Sequence, residues 1–327
     1  MASLRKLSFG IAVLASGALA FAWPGAFLSW GGVKLVGLVV PAIQLIMFGM
    51  GTSLSPSDFL GVARSPWAVA LGVVLQFAVM PLAGWLIATA FGFSGELAAG
   101  FVLVGSVAGG TASNVVAYLA GANVALSVTM TCCSTLISPF ATPLLMKLLA
   151  GRFIDIDAAK LMIESLKVVV VPVVAGGLVR YAFRRVFEER KAVCGRILSA
   201  VSMAGICFTI LALTAAGRDT LAGAGLAIVA AAVAHNAVGY AAGYWLARAL
   251  SRPLGLGERE ARTVAIEVGM QNSGMAAALS IGVLGSAAAA LPANVFSIWM
   301  NFSGSVVAGY WSRRPVGGDE RKDNCPI

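Results

Sequence analysis

The stretch from Thr263 to Leu284, TVAIEVGMQNSGMAAALSIGVL, has the pattern of an apolar helix, a polar break and a second apolar helix. Glu267 lies just before the break, within a run that is otherwise apolar. Charged side chains inside membrane spans are rare because their burial is costly, and non-helical backbone at membrane depth must be packed in protein or line a cavity. The stretch therefore predicts an interrupted membrane helix that carries an ion-binding carboxylate.

The composition supports this interpretation. Hydrophobic residues make up 59% of the chain and charged residues 11%, and the mean hydropathy of +0.90 is too high for a soluble globular protein. Apolar runs recur at lengths of about 20 residues, the length that a membrane helix needs. We therefore predict an all-α polytopic membrane protein in contact with lipid. The net charge of +9 falls in the short loops, where it records membrane orientation and does not indicate a nucleic-acid partner.

The pattern predicts ten spans, of which the fourth and ninth are broken. They are placed at residues 7–22, 32–51, 66–91, 96–120, 123–149, 161–184, 195–216, 220–250, 258–283 and 290–312. An even number of spans puts both termini on one side, and 17 of the 23 Lys and Arg residues fall on that side. The positive-inside rule then predicts that both termini are cytoplasmic.

The first span has an alternative interpretation. Arg5 and Lys6, an apolar stretch and the sequence Ala20-Phe21-Ala22 together imitate a secretory signal with its cleavage site. If the two halves of the chain are repeats, however, the first span is the counterpart of the sixth. We therefore expect it to be retained.

A weak internal repeat relates the two halves. A shift of about 159 residues places the polar break at 110–114 over residues 269–273, and it places Gln76 over His235. Because each half has five spans, an odd number, the second repeat must be inverted relative to the first. The predicted organisation is a first repeat at 1–150, a linker at 151–159, a second repeat at 160–312 and a cytoplasmic tail at 313–327.

Two breaks in corresponding halves have a chemical consequence. Backbone carbonyls, a carboxylate, amide oxygens and hydroxyls together form a hard oxygen cage that suits an alkali cation. Amides at the N-termini of half-helices favour an anion. The paired breaks therefore predict a transporter with sites for sodium and for a carboxylate substrate.

Three motifs carry a resemblance to a known family. The runs GGTASNVVAYLAGANVALSV (Gly109–Val128), STLISP (Ser134–Pro139) and EVGMQNSG (Glu267–Gly274) resemble the signatures of the bile acid:sodium symporter family, and the likeness extends over all ten spans. Membership implies a core domain of spans three to five and eight to ten, a panel domain of the other four, and crossing of the two broken helices. It also implies a bacterial inner-membrane symporter that imports an organic acid anion by alternating access and functions as a monomer.

The resemblance also implies the site residues. The first of two Na+ sites would use Ser113, Asn114, Ser127, Thr131 and Glu267. The second would use Gln76, Glu267, Val268, Met270 and Gln271, with Val268 and Met270 contributing backbone carbonyls. The substrate would contact Gly110, Thr111, Asn272, Ser273 and Asn301. Met300 stands where bacterial relatives that bind bile acids can have His, so the substrate stays open between a small pantoate-like or ketopantoate-like acid and a bile acid.

Simpler structural interpretations of these residues exist. Glu267 could be an interfacial side chain that extends toward water, and Ser113, Ser127 and Thr131 could bond to carbonyls of their own helices. Gln76 is open between a structural and a ligand role. The pair His235-Asn236 is more typical of a satisfied buried pair than of a ligand.

Two other classes of function compete with a symporter. An intramembrane enzyme would need a nucleophile near Ser273-Gly274 or Ser303-Gly304, but Gln271 and Asn301 stand where a Gly-x-Ser-Gly pattern requires its first glycine. A chain with one histidine also has few options for general-base catalysis, so we expect no enzyme. A sodium-dependent channel or sensor could use the same cation cage without moving a substrate.

Overall fold

The computed structural model describes residues 2–53, 65–314 and 316. The principal helices are α1 (Ala2–Ala22), α2 (Val39–Ser53), α3 (Pro66–Ala90), α4a (Gly95–Ser106), α4b (Ala112–Leu119), α5 (Val124–Leu149), α6 (Ala158–Ala182), α7 (Lys191–Ala216), α8 (Arg218–Ala249), α9a (Glu258–Gly269), α9b (Ser273–Gly282) and α10 (Ala287–Ser312). Short helical turns occur at Gly25–Leu28, Leu35–Leu38, Ala150–Arg152, Arg184–Glu189 and Ser251–Leu254. Most of the predicted tail lies outside the described residues.

Six helical segments of the described chain are long and apolar enough to cross a membrane. They are Leu35–Ser53, Pro66–Ala90, Val124–Arg152, Ala158–Ala182, Val193–Ala216 and Arg218–Ala249. The prediction of a helical, polytopic membrane protein is confirmed at this level. The count of ten spans and the inverted repeat stay predictions.

The start of the second span differs from the prediction. Its helix begins at Val39 instead of residue 32, because the chain first forms an antiparallel hairpin from β1 (Ser29–Trp30) and β2 (Val33–Lys34). Gly31 and Gly32 form the hairpin turn with φ values of 54° and 83°, a conformation that glycine adopts without steric cost. The structure is therefore helical apart from this small hairpin within the described residues.

Both predicted breaks are present, with shifted limits. α4a ends at Ser106 and α4b begins at Ala112, so Ser113, which we had placed within the break, lies in the first turn of a helix. α9a ends at Gly269 and α9b begins at Ser273. Asn272 fixes this second start, because its side-chain oxygen accepts a hydrogen bond from the backbone N–H of Met275 at 3.0 Å.

The two breaks pair with each other. The N–H of Gly110 donates to the carbonyl of Met270 at 2.7 Å, and the N–H of Asn272 donates to the carbonyl of Ala108 at 2.9 Å. These bonds form an antiparallel bridge between Gly109 and Gln271. Backbone groups that leave the helical pattern are thus satisfied by the opposite break, which makes the irregular chain tolerable at membrane depth.

Glycines allow some helices to meet backbone to backbone. A Cβ atom at Gly105 of α4a would collide with the carbonyl of Met80 in α3, and one at Gly239 of α8 would lie 2.8 Å from the Cα atom of Gly269. A Cβ at Gly51 of α2 would likewise collide with the backbone of α6. Small residues at such positions permit close helix packing in membranes. We call these positions the backbone contacts.

At other positions a glycine faces the end of a side chain on a neighbouring helix. A Cβ atom at Gly274 of α9b would lie 2.8 Å from Cδ1 of Ile43 in α2. The Cβ of a substituted Gly17 in α1 would lie 3.2 Å from Cδ1 of Ile298 in α10. We call these positions the side-chain contacts. They lie where α2 faces α9b and where α1 faces α10.

Candidate functional site

Glu267 lies at the centre of a buried polar network beside the breaks. It occupies the last turn of α9a, and only 3% of it is exposed. Its Oε1 accepts hydrogen bonds from Ser113 of α4b, at 2.5 Å, and from Ser127 of α5. Its Oε2 accepts one from Thr131 of α5 at 2.9 Å. Because the carboxylate is buried and bonded to two other helices, the interpretation as an interfacial side chain is wrong.

The remaining member of the first predicted cation set joins this network. The hydroxyl of Ser127 lies 2.8 Å from Oδ1 of Asn114. Thr131 also contacts the carbonyl of Ser127, one turn earlier in α5, at 3.1 Å. The structure thus brings together the residues Ser113, Asn114, Ser127, Thr131 and Glu267, which come from α4b, α5 and α9a.

The second predicted cation set centres on a pair of glutamines. Nε2 of Gln76 in α3 donates to Oε1 of Gln271 at 2.5 Å, and Nε2 of Gln271 donates back to Oε1 of Gln76 at 3.1 Å. Gln271 also donates to the carbonyl of Val268 at 2.7 Å. The carbonyl of Met270 accepts from the opposite break instead. Gln76, Val268 and Gln271 are therefore in direct contact, and Met270 adjoins them through the chain.

A small cavity adjoins both sets, because both Gln76 and Glu267 line it. Ser134 also lines this cavity, and its hydroxyl lies 3.3 Å from the backbone N–H of Gly109. Our reading of the sequence did not assign Ser134 to a site. Ser134 begins the STLISP run and follows Thr131 by three residues on the same helix, and this spacing could have indicated that both side chains face one site.

A larger, partly open cavity lies between α2, α7, α10 and both breaks. The residues predicted to contact substrate, Gly110, Thr111, Asn272, Ser273 and Asn301, all line it. The remaining lining is mostly aliphatic, and none of the described residues that line the cavity is charged. The cavity can therefore receive a ligand of mixed apolar and polar character.

One face of α10 adds two polar groups, Asn294 and Ser297, that the sequence analysis does not predict. With the predicted Asn301 they recur at intervals of three and four residues and line the larger cavity. Nδ2 of Asn301 donates to the carbonyl of Ser297 at 2.7 Å. This spacing in an otherwise apolar helix was the sequence signal for a polar face.

The pair His235-Asn236 is buried in α8, as its structural interpretation requires. His235 Nε2 lies 2.9 Å from the carbonyl of Met80, and Nδ1 has no partner among the described residues. Asn236 donates to the carbonyl of Gly269, at the second break, at 2.8 Å. Gln76 makes the equivalent bond to the first break, through Val107, also at 2.8 Å. Asn236, and not His235, thus makes the bond to the second break that Gln76 makes to the first.

The donor atoms of the network determine what it can bind. Hydroxyl groups can rotate to direct a lone pair at a cation, and the carboxylate and amide oxygens are hard ligands. Within the described residues no cluster of three or more His, Cys, Asp and Glu side chains exists, so the chemistry is that of a single carboxylate among neutral oxygens. Such a site matches a monovalent hard cation.

Comparison with known proteins gives consistent results. The model of the sodium bile acid symporter family matches residues 40–224. The uncharacterised sodium-dependent transporter YocS of Bacillus subtilis is 38% identical over 317 residues, which cover 95% of this chain and 94% of that protein. A probable chloroplastic sodium/metabolite cotransporter of Oryza sativa is 35% identical, over 88% of this chain and 66% of that protein. The ileal sodium/bile acid cotransporter of Oryctolagus cuniculus is 33% identical, over 71% of this chain and 65% of that protein.

Proposed function

Because this chain belongs to the sodium bile acid symporter family, we propose that it is a secondary symporter that uses the sodium gradient to import an organic acid anion. The family consists of sodium-coupled transporters, which confirms the prediction that the chain is not an enzyme. The observation that carries the proposal is the buried Glu267, which accepts hydrogen bonds from α4b and α5 at the point where the two breaks pair.

We propose that two Na+ ions bind and that they share Glu267. The first would be held by the carboxylate together with Ser113, Asn114, Ser127 and Thr131. Support comes from the convergence of these side chains on one carboxylate, since three hydroxyls could each offer a lone pair to a cation there.

The second ion would be held by Glu267, Gln76, Gln271 and the carbonyls of Val268 and Met270. The small cavity that touches both Gln76 and Glu267 supports this arrangement. Two cations on one carboxylate would leave a net positive charge beside the larger cavity. That charge would attract an anionic substrate.

The substrate would bind in the larger cavity between the breaks and α10. Thr111 and Asn272 would contact its carboxylate near the N-termini of α4b and α9b, where helix dipoles favour negative charge. The other contacts would come from Gly110, Ser273 and Asn301. Of the two kinds of substrate left open, we favour an acid of the pantoate or ketopantoate kind over a bile acid.

Transport would proceed by alternating access between two bodies of helices in the cytoplasmic membrane of a bacterium. α3, α4, α5, α8, α9 and α10 would form the core and α1, α2, α6 and α7 the panel, in a monomer with ten spans, two inverted repeats and cytoplasmic termini. The backbone contacts support this division. Those at Gly105 with α3 and Gly51 with α6 lie within one body each, and no glycine of the described residues makes a backbone contact between the two bodies.

Purified protein in vesicles tests the proposal. An inward sodium gradient should drive accumulation of a radiolabelled acid above its external concentration, and a potassium gradient should not. Sodium-dependent binding of the acid without accumulation would identify a sensor. Acid flux that only follows its own gradient would identify a channel.

A further inference from the structure

Asn294 has an unusual environment within the larger cavity. It lies on α10 with only 2% of its surface exposed, and it lines the cavity together with Ser297 and Asn301. Its Nδ2 donates to the hydroxyl of Thr214 in α7 at 2.8 Å. Its Oδ1 has no hydrogen-bond partner among the described residues. A buried amide thus has one atom fixed by α7 and one acceptor unused.

The unused acceptor restricts what can occupy the cavity. Oδ1 of an amide accepts hydrogen bonds and donates none, so a carboxylate cannot satisfy it. The atom is shielded from bulk water, so a substrate that packs against it must supply a hydrogen bond or leave a buried acceptor unpaired. An occupant that matches the site therefore carries a hydrogen-bond donor as well as an acid group.

We propose that Asn294 is a specificity-determining residue that accepts a hydrogen bond from a hydroxyl group of the substrate, an inference that rests on the proposed function of the cavity. The side chain selects hydroxylated organic acids over acids of equal length without the hydroxyl. Asn294 precedes Asn301 by seven residues, which is about 10 Å along the helix axis. The hydroxyl is therefore recognised at a different level of α10 from Asn301.

The test compares acids of equal chain length with and without a hydroxyl group. Binding of 2-, 3- and 4-hydroxybutyrate and of 6-hydroxyhexanoate is measured against butyrate and hexanoate, in sodium, by the thermal stability of the purified protein. We expect at least one hydroxy acid to bind about tenfold or more tightly than its parent acid. In Asn294→Leu the ratio should fall to about one, because the hydroxy acid loses its acceptor while the parent acid loses nothing.

Ser297→Ala is the matched control, since Ser297 lines the same cavity one turn away, and it should keep the preference. Stabilisation by sodium alone reports that each variant is folded. If Asn294→Leu does not fold, Asn294→Ser replaces it and should reduce the ratio, because its shorter side chain moves the acceptor away.

The inference is overturned if no hydroxy acid is preferred, if the preferred acid keeps its advantage in the Asn294 variant, or if Ser297→Ala loses the preference equally. If neither the hydroxy acids nor their parents bind in a sodium-dependent way, the proposed function fails together with the inference. Acid binding without a hydroxyl preference overturns the inference alone.

Discussion

Replacement of Glu267 by Gln keeps the shape of the side chain and removes the charge that two cations would share. One oxygen and one N–H₂ group would then face Ser113, Ser127 and Thr131. Each hydroxyl that now donates to the carboxylate can rotate and accept instead, so the network should remain bonded and the variant should fold. The substitution should therefore lower the affinity for sodium and not the stability of the fold.

The size of the loss follows from burial. Removal of one partner from a buried charge pair costs about 3–5 kcal/mol, which corresponds to a decrease in sodium affinity of at least about 100-fold. When sodium is present at about 100 times its dissociation constant, it stabilises a single-site protein by about 2.7 kcal/mol. The wild-type protein should thus gain about 4 °C in melting temperature from sodium, and Glu267→Gln should gain almost nothing.

The assay is thermal unfolding of purified protein over a sodium series at constant ionic strength, followed by uptake in vesicles. Glu260→Gln is the control, because Glu260 lies on the same helix α9a and accepts hydrogen bonds from two neutral donors, Asn123 and the N–H of Gly257. It should keep both sodium stabilisation and uptake. Normal sodium-driven uptake by Glu267→Gln would refute the assignment of a shared carboxylate.

Three other outcomes are expected. Sodium should raise the melting temperature more than potassium at equal ionic strength, because a cage built partly from fixed carbonyls selects one ion size, and equal shifts would contradict both sites. Gln76→Ala should lower the sodium affinity measured without substrate. Thr111→Val and Asn272→Ala should mainly weaken the response to substrate. Complete loss of sodium binding in Asn272→Ala would assign Asn272 to the cation set instead. Gly105→Val should destabilise the protein by about 1–3 kcal/mol, because the new side chain would collide with α3. Gly223→Val is the control, since Gly223 has open space around it, and it should not destabilise the protein. Equal melting temperatures of the two variants would contradict the packing described.

The interrupted helices were predictable because their signal is strong. A carboxylate and polar residues within an apolar run have few explanations in a membrane protein, so the second break was located from Glu267, Gln271 and Asn272 alone. The exact limits were not predictable. Ser113 appears polar enough for a loop, but it lies in a helical turn where it reaches Glu267 on another segment.

Features that depend on contacts distant in sequence were harder to predict. The repeat aligned Gln76 with His235, although Asn236 makes the matching bond, because an alignment of weak repeats cannot fix the rotation of a helix to one residue. The role of Asn294 was not predictable from its own helix, because its hydrogen-bond partner Thr214 lies on another helix. The hairpin at Ser29–Lys34 interrupts an apolar run, and its two glycines were the only local signal.

The difference between backbone and side-chain contacts has a mechanical consequence. Where a backbone carbonyl lies against a glycine, as at Gly105, neither group has a side chain that can move aside. The relative position of the two helices is therefore fixed. Where Ile43 faces Gly274, the opposing atoms are the ends of a flexible chain that can change rotamer and slide past their neighbours. If the two proposed bodies move against each other, such a boundary would resist the movement little. Exchange of one aliphatic side chain for another there should change the rate of movement without altering the proposed ion or substrate ligands.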